Sequence, residues 1–221
     1  MDSHLDEDRG VIGFDVRVDP SEFGKELIEA TARVVRYRLR KAIEQAVEPC
    51  KKTFKKSLEN SREYRGLRNE LVPDFGLVDP DANRTAIVNE VVRGFAIRPK
   101  TVRSSYGDVT DFGGLEVVVL PSYLLFELVS MEFASFTSEK GHLVNWLYWL
   151  LFTGNAIAVT DYEVVYGDAG RTGQAIMIRG GSFQVPQQFA GTPENNWITR
   201  AANNALPRIR NIIEKTLREV M

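Results

Sequence analysis

Two short stretches of the sequence carry residue types that could do chemistry. The glycine-rich segment GDAGRTG at 167–173 has the composition of a phosphate-binding loop. It lacks the Gly-Lys-Ser/Thr ending of such loops, and it is predicted to join two strands, so no helix N-terminus is available to hold an anion. A hairpin loop with Gly170 and Gly173 at positive φ explains the segment better.

The second stretch is a pair of carboxylates in the predicted strand that precedes this loop. Asp161 and Glu163 are two residues apart, so a regular strand would place both on the same face. Paired carboxylates can act as general acid and base. No third carboxylate or histidine follows at a metal-ligand spacing, and the exposed face of a half-buried strand explains both residues.

Nucleophiles and metal ligands are scarce in the sequence. Cys50 is the single cysteine, which excludes an intramolecular disulfide, and it has no histidine nearby in the chain. His4 belongs to an acidic N-terminal segment, and His142 precedes a predicted helix. No Gly-x-Ser-x-Gly motif is present. The sequence therefore indicates no enzyme, and we expect no catalytic, cofactor-binding or metal-binding residues.

The composition predicts a folded, soluble protein. Of the 221 residues, 43% are hydrophobic and 26% charged, and we expect a single α+β domain over 1–221 with a flexible acidic tail at 1–10. The net charge of -2 argues against a protein that coats nucleic acid by bulk electrostatics. The apolar run LVNWLYWLLF at 143–152 is too short to span a bilayer, which predicts a buried helix and no membrane partner.

Hydrophobic periodicity predicts the order of the elements. We expect a mixed or antiparallel sheet of about four to six strands, flanked by a long N-terminal helix, small middle helices and a C-terminal helix. The first helix should begin at Asp19-Pro20 and stop or kink at Pro49, and the next should run from Asp79-Pro80 to Gly94. The last should run from about Thr192 to the end, bent or interrupted at Pro207.

Positive charge is concentrated between Thr31 and Gly66, which contain eleven Lys or Arg and four Asp or Glu. Two interpretations stay open: a solvated helix face, or a surface for phosphate or an acidic partner. Arg171, in the predicted hairpin loop, is a further interface candidate. The candidates for an interface or a DNA channel are therefore Arg33, Arg36, Arg40, Lys51, Lys52, Lys55, Lys56 and Arg171.

The segment FAGTPENNWITRAA at 189–202 could be a catalytic loop, a binding loop or a helix cap. Gly191 is predicted to form a turn, Thr192 to cap the last helix, and Pro193 to occupy its first position. Trp197 then lies in the first turn, where it either anchors the helix to the sheet or makes an intermolecular contact. Since no partner for catalysis is apparent, the segment indicates a structural junction.

The order of these segments resembles bacteriophage neck or tail-completion proteins, which join the filled head to the tail. The matching motifs in the C-terminal half are Thr172-Gly173, Phe189-Ala190-Gly191-Thr192, and Trp197-Ile198 at the opening of the last helix. SREYRGLRNELVPDFGL resembles the Ser-x-x-Tyr-x-x-Leu…Phe-Gly-Leu segment of large tailed-phage versions. LVNWLYWLLF resembles their Trp-x-x-Trp-Leu-Leu helix. The resemblance covers roughly 20–215, and Pro207 departs from it.

This resemblance implies a structural virion protein, made in the host cytoplasm. It implies a ring of six or twelve copies around the DNA exit channel, between a portal or adaptor and a tail-terminator, tail tube or sheath protein. The basic segment could face the channel and contact exiting DNA, or face outward. The alternatives are a nucleic-acid-associated enzyme or binding module that uses the basic 31–66 segment, and a cellular scaffold protein without a virus.

Overall fold

The computed structural model describes residues 2–6, 11–18, 25–67, 80–100, 110–137, 143–153, 157–166, 175–184 and 191–221. The helices in these ranges are α1 Lys25–Glu59, α2 Arg62–Arg65, α3 Pro80–Arg93, α4 Leu124–Val129, α5 Trp146–Phe152 and α6 Trp197–Val220. The strands are β1 Asp2–Asp6, β2 Val11–Val18, β3 Ala96–Lys100, β4 Thr110–Val118, β5 Phe136–Thr137, β6 Leu143–Val144, β7 Ile157–Tyr166 and β8 Ala175–Gln184.

Contacts within the chain group its residues into two compact units. Unit 1 comprises Met1–Lys56, Val92–Pro121 and Ala202–Met221, and unit 2 comprises Ser57–Val91 and Ser122–Ala201. Three of the four boundaries fall within α1, α3 and α6, so each of these helices contributes to both units. The single domain over 1–221 stays a prediction.

Unit 1 contains a four-stranded antiparallel sheet in the order β1-β2-β4-β3. The ladder between β2 and β4 is regular from Val11 to Asp15 and shifts register between Asp15 and Arg17. Next to this shift, Gly113 has a φ of 89°. An extra residue with glycine in the left-handed region is the signature of a β-bulge, which bends β4 at this point.

Both edge strands of this sheet differ from a regular inner strand. At one edge, β3 contains Pro99 opposite Leu115, and an edge strand can accept proline because one side of it needs no ladder hydrogen bonds. At the other edge, β1 pairs with β2 from Asp2↔Asp15 to Asp6↔Val11. Asp2–Asp6 therefore form a strand, because β2 offers its free backbone groups as partners for an extended segment. The flexibility of the acidic segment 1–10 stays a prediction.

The long helix α1 continues through Pro49, so the prediction that the helix could stop there is wrong. Proline inside a helix removes one backbone hydrogen bond and costs about 3 kcal/mol. The cost is offset by an apolar stripe that continues on both sides of Pro49, which is itself exposed. The buried residues of this stripe recur every three or four positions, at Val35, Leu39, Ala42, Ala46, Cys50, Phe54 and Leu58.

The same reasoning applies to α6, which is not interrupted at Pro207. Pro207 lies on the exposed face, where its missing N–H disturbs no buried contact. The opposite face is buried at helical spacing, at residues that belong to unit 1: Ala202, Ala205, Leu206, Ile209, Ile213 and Leu217. Helix α3 begins at Pro80 and ends at Arg93, as predicted from Asp79-Pro80 and Gly94.

Unit 2 is built from shorter elements. The buried face of α4 consists of Leu124, Leu125 and Leu128, and α5 buries Trp146 and Leu147. The indole Nε1 of Trp146 donates a hydrogen bond of 2.9 Å to the carbonyl oxygen of Phe133, in a 3-10 turn after α4. The predicted buried helix is thus present, although Tyr148 on its other side is exposed.

The strands of unit 2 form two antiparallel pairs, β5–β6 and β7–β8. β8 spans Ala175–Gln184 without interruption, although it contains Gly180 and Gly181. Its ladder with β7 shifts register near Gly180-Gly181, where regular pairing is interrupted without ending the strand.

In coarse terms the α+β prediction is confirmed: a long N-terminal helix, small middle helices, antiparallel strands and a C-terminal helix are present. Across the described ranges, more residues lie in helices than in strands, and the strands divide into three separate sheets, of four, two and two strands, rather than one. No helix in the described ranges is both long and apolar enough to cross a membrane.

Candidate functional site

The predicted basic residues lie on α1, away from its buried stripe. Arg33, Arg36 and Arg40 are exposed, and their spacing of three and four residues places them on one helix face. Lys52 and Lys56 are also exposed, while Lys51 and Lys55 are half-buried. The structure therefore supports a solvated, positively charged surface on α1.

This surface is not continuous along the helix. Glu44 and Glu48 are exposed and lie between the two basic clusters. Glu44 follows Arg40 by four residues, and Glu48 precedes Lys52 by four, so each carboxylate is next to a cation on the helix surface. The basic segment thus forms two clusters separated by negative charge.

Cys50 lies inside the buried stripe of α1 and is fully inaccessible to solvent. Burial raises the pKa of its thiol from 9.0 to about 12, because a thiolate would have to be formed away from water. A nucleophilic cysteine needs a lowered pKa and access to its substrate. Cys50 has neither property, so the structure assigns it to the core.

We expect Cys50 to be unreactive toward Ellman's reagent in the native protein at pH 8 and fully reactive in guanidinium chloride. Because its pKa is raised on folding, the burial of the neutral thiol contributes stability below about pH 9, and this contribution is lost as the pH rises toward 12. Thiol titration at pH 8 checks the first point. Rapid native labelling at the rate of a free thiol would show that this part of α1 opens readily.

The segment 191–196 positions the start of α6. Asn196 precedes the helix, and its side-chain Oδ1 accepts hydrogen bonds from the backbone N–H of Ile198 (3.0 Å) and Thr199 (3.1 Å). In return, Thr199 Oγ1 accepts the N–H of Asn196 at 2.8 Å. This reciprocal pattern is a capping box, so Asn196 is the N-cap of α6.

The prediction that Thr192 caps the helix is therefore wrong. Thr192 and Asn195 exchange backbone hydrogen bonds of 3.0 and 3.1 Å, which close a separate turn before the helix. The Nδ2 of Asn196 donates to the carbonyl oxygen of Thr192 at 2.9 Å and so joins this turn to the cap. Sequence reasoning chose the Thr-Pro pair as the start and missed the Asn-x-x-Thr signature four residues later.

We expect Asn196→Ala to lower the free energy of unfolding by about 1 to 2 kcal/mol, the usual range for losing an N-cap. Thr192→Ala, at an exposed position of the preceding turn, should cost less than about 0.5 kcal/mol. Urea unfolding followed by circular dichroism measures both. A larger effect at Thr192 than at Asn196 would contradict the assignment of the cap.

Three further contacts tie the start of α6 into unit 2. The guanidinium of Arg200 binds the buried carboxylate of Glu63 at 2.5 Å, and Ser57 Oγ donates to the carbonyl oxygen of Ala201 at 2.8 Å. A Cβ atom on Gly191 would lie 2.7 Å from the carbonyl oxygen of Leu150. The junction is therefore packed against α2, the end of α1 and α5.

Trp197 is the first residue of α6 and is completely buried, in agreement with the prediction that an aromatic residue opens the last helix. Its burial favours the role of an anchor over that of an intermolecular contact. Its Nε1 has no hydrogen-bond partner among the described residues. The side chain therefore acts through its apolar surface.

The Ser-x-x-Tyr-x-x-Leu motif also has structural roles. Ser61 caps α2, since its Oγ accepts the N–H of Tyr64 at 3.1 Å. The guanidinium of Arg84 lies 4.6 Å from the centre of the Tyr64 ring, a cation–π arrangement, and Leu67 is buried. Ser61 and Tyr64 thus form and hold the short helix α2, and the Tyr64 ring packs against Arg84 of α3.

An exposed aromatic cluster on α4 and α5 was missed by sequence reasoning. The rings of Phe126 and Phe152 are 4.9 Å apart, and those of Phe152 and Tyr148 are stacked at 5.1 Å. Phe126 is 61% exposed, and Tyr123, one turn before it, is 56% exposed. We refer to Tyr123, Phe126, Tyr148 and Phe152 as the aromatic cluster. Its signal was the spacing of three and four residues within the two short helices.

A second exposed apolar surface lies near the start of α1. Leu27, Val34 and Tyr37 are exposed, and their spacing of seven and three residues places them on one face. We refer to these three residues as the α1 stripe. The basic residues around it had drawn attention to charge, so its apolar character was overlooked.

Several predicted residues lie outside the described ranges. They include Arg171, Thr172, Gly173, Phe189, Ala190 and His142, and the loop 167–173 between β7 and β8. For Asp161 and Glu163 only the backbone is described, and the ladder shifts register between Thr160 and Tyr162. The regular alternation on which their same-face prediction rested is therefore absent there.

Within the described ranges, no group of three or more His, Cys, Asp or Glu side chains is arranged to hold a metal ion. The described residues form the packed junction at the start of α6 and two exposed apolar surfaces. The α1 stripe has basic residues near it in the chain, and the aromatic cluster has acidic ones. No known protein-family model, curated protein or solved structure gives a significant match to this chain.

Proposed function

We propose that this chain is a structural subunit of the neck of a tailed bacteriophage. In this proposal it forms a ring of six or twelve copies that surrounds the DNA exit channel and joins a portal or adaptor to a tail-terminator, tail tube or sheath protein. It is made in the host cytoplasm and acts in the virion. The observation that carries the proposal is the segment Gly191–Ile198, whose motif residues build the start of the last helix.

The segment supports the proposal because its motif residues Gly191 and Trp197, and the N-cap Asn196 between them, each have a physical reason for their identity. Gly191 permits close approach to Leu150, Asn196 caps the helix, and Trp197 fills the space beneath it. Such a motif belongs to a family fold rather than to an active site. The exposed apolar surfaces of the described residues add to this support, since contiguous exposed apolar side chains are typical of assembling proteins.

Mass spectrometry of purified phage particles tests the proposal. The chain should be present in a few to about a dozen copies per particle, and antibody-labelled electron micrographs should place it at the junction of head and tail. Particles from a strain that lacks the gene should contain filled heads without attached tails. Absence of the chain from complete particles would exclude the neck assignment.

The second candidate is a nucleic-acid-binding module, which the exposed Arg33, Arg36 and Arg40 favour. If these residues contact phosphates, the purified protein should retard duplex DNA, with an affinity that falls steeply as salt rises. Each Arg→Gln change should then reduce the slope of log K against log salt by about 1. Arg208→Gln, an exposed position on α6, is the matched control. A lack of retardation at low salt would eliminate this candidate.

A further inference from the structure

The aromatic cluster has the chemistry of a protein-binding surface. Tyr123, Phe126 and Tyr148 are exposed and Phe152 is half-buried, and the ring of Phe152 contacts the rings of Phe126 and Tyr148. Tyr123 lies one turn before both Phe126 and Glu127. Aromatic side chains are enriched at the centres of interfaces because they bury a large area with few rotatable bonds. The six-residue helix α4 does not need exposed aromatic side chains for its own stability.

The described segments of the chain that carry the aromatic cluster are acidic. The described residues 122–137 and 143–153 contain Glu127 and Glu132, both exposed, and no Lys or Arg. Nucleic acid is therefore a poor occupant, since its phosphates would meet negative charge. A partner that fits this surface is apolar at its centre and basic at its rim.

The α1 stripe has these complementary properties. Its side chains are apolar and about half or more exposed, with Leu27 at 51%, Val34 at 51% and Tyr37 at 70%. The same stretch of helix, 27–41, contains five Arg or Lys and one Glu. A helix that presents apolar residues at positions i, i+7 and i+10 can lie along a groove or ridge of aromatic rings.

We infer that the α1 stripe of one copy of this chain binds the aromatic cluster of the next copy. The two surfaces are different and are carried by the same chain, so the contact is heterologous: each copy uses one surface to bind one neighbour and the other to bind a second. In this contact, the apolar side chains of the two surfaces cover each other and exclude water. The Arg and Lys side chains around the α1 stripe face Glu127 and Glu132 at the edge of the contact. The contact itself is inferred from these two surfaces. Only the closure of successive contacts into a ring depends on the proposed function.

The test uses the full chain and two complementary variants, with mass measured by size-exclusion chromatography and light scattering. V34E/Y37E removes the α1 stripe and keeps the aromatic cluster, whereas F126E removes the aromatic cluster and keeps the stripe. The natural protein should form oligomers at micromolar concentration. Each variant alone should be monomeric, and an equimolar mixture should form a one-to-one dimer, because one intact contact remains and neither outer surface can extend it.

Met221→Glu is the matched control, since Met221 is another exposed apolar side chain, at the end of the chain. It should assemble like the natural protein. Each variant should keep the far-ultraviolet circular dichroism spectrum of the natural protein, because the substituted positions are exposed. Three results would each overturn the inference. They are oligomers of V34E/Y37E alone or of F126E alone, a mixture of the two variants that stays monomeric, and a natural protein that is monomeric.

The rim charges give a second readout. Glu127→Lys should weaken the association of the natural chain several-fold at low salt, and the difference should shrink as salt screens the charges. Failure of this inference and failure of the neck assignment are distinguishable. Head-to-tail oligomers of a protein that is absent from phage particles would leave the inference standing. If the chain is found in the neck and its two variants still assemble, the neck assignment stands and this inference fails.

Discussion

Replacing Trp197 with alanine is expected to lower the free energy of unfolding by about 3 to 5 kcal/mol, the range for truncating a large buried aromatic side chain. The indole is fully buried at the first position of α6, directly after the cap formed by Asn196. The cavity left behind cannot close easily, because Gly191, Asn196 and the first turn of α6 are held by close contacts. Urea unfolding followed by far-ultraviolet circular dichroism measures the effect.

Trp197→Phe is the matched control. Since the indole Nε1 makes no hydrogen bond to the described residues, phenylalanine loses ring area but no polar interaction, and we expect a cost of about 1 to 1.5 kcal/mol. A Trp197→Ala protein that keeps its melting temperature and loses only self-association would show that the side chain serves an intermolecular contact instead.

Gly191→Ala is expected to have the second largest effect on stability, about 2 to 3 kcal/mol, near the upper end for overpacking. A Cβ atom there would lie 2.6 Å from Cβ of Asn196 and 2.7 Å from the carbonyl oxygen of Leu150. Neither obstacle is the end of a flexible side chain, so the added methyl group must displace either the cap of α6 or the backbone of α5.

This displacement should be visible in a double-mutant cycle. Because a Cβ atom on Gly191 would clash with Cβ of Asn196, the costs of Gly191→Ala and Asn196→Ala should not add. Chemical denaturation of the four proteins in the cycle provides the comparison. Gly191→Ala with an unchanged unfolding midpoint would mean that the loop has room to relax.

Strong helical periodicity was sufficient to predict α3 and most of α1. Pro80 marks the first residue of α3, and Gly94 follows its last, which are local signals that tertiary structure did not alter. The stop expected at Pro49 and the interruption expected at Pro207 are absent for one reason, while a kink or bend at either proline stays a prediction. A local rule assigns proline a cost, but the apolar stripe that outweighs this cost becomes evident only when burial over the whole helix is known.

The candidate sites were harder to predict, because a sequence shows residue type but not exposure. Tyr148 and Phe152 lie in an apolar run, and a buried helix was the natural interpretation, yet one side of this helix is exposed. The capping role of Asn196 was missed because several residues of TPENN are good helix caps. Only the geometry of the hydrogen bonds distinguishes among them.

The two edge strands of the four-stranded sheet affect whether many copies of this protein can assemble without aggregating. An open edge strand can pair with the same strand of another molecule, which leads to uncontrolled aggregation at high local concentration. Here one edge includes Pro99 between Arg98 and Lys100, and the other begins and ends with aspartate, at Asp2 and Asp6. Missing amide hydrogens and repelling charges at these edges disfavour growth of the sheet from copy to copy. When many copies are close together in one assembly, their association should therefore be determined by side-chain surfaces and not by strand pairing.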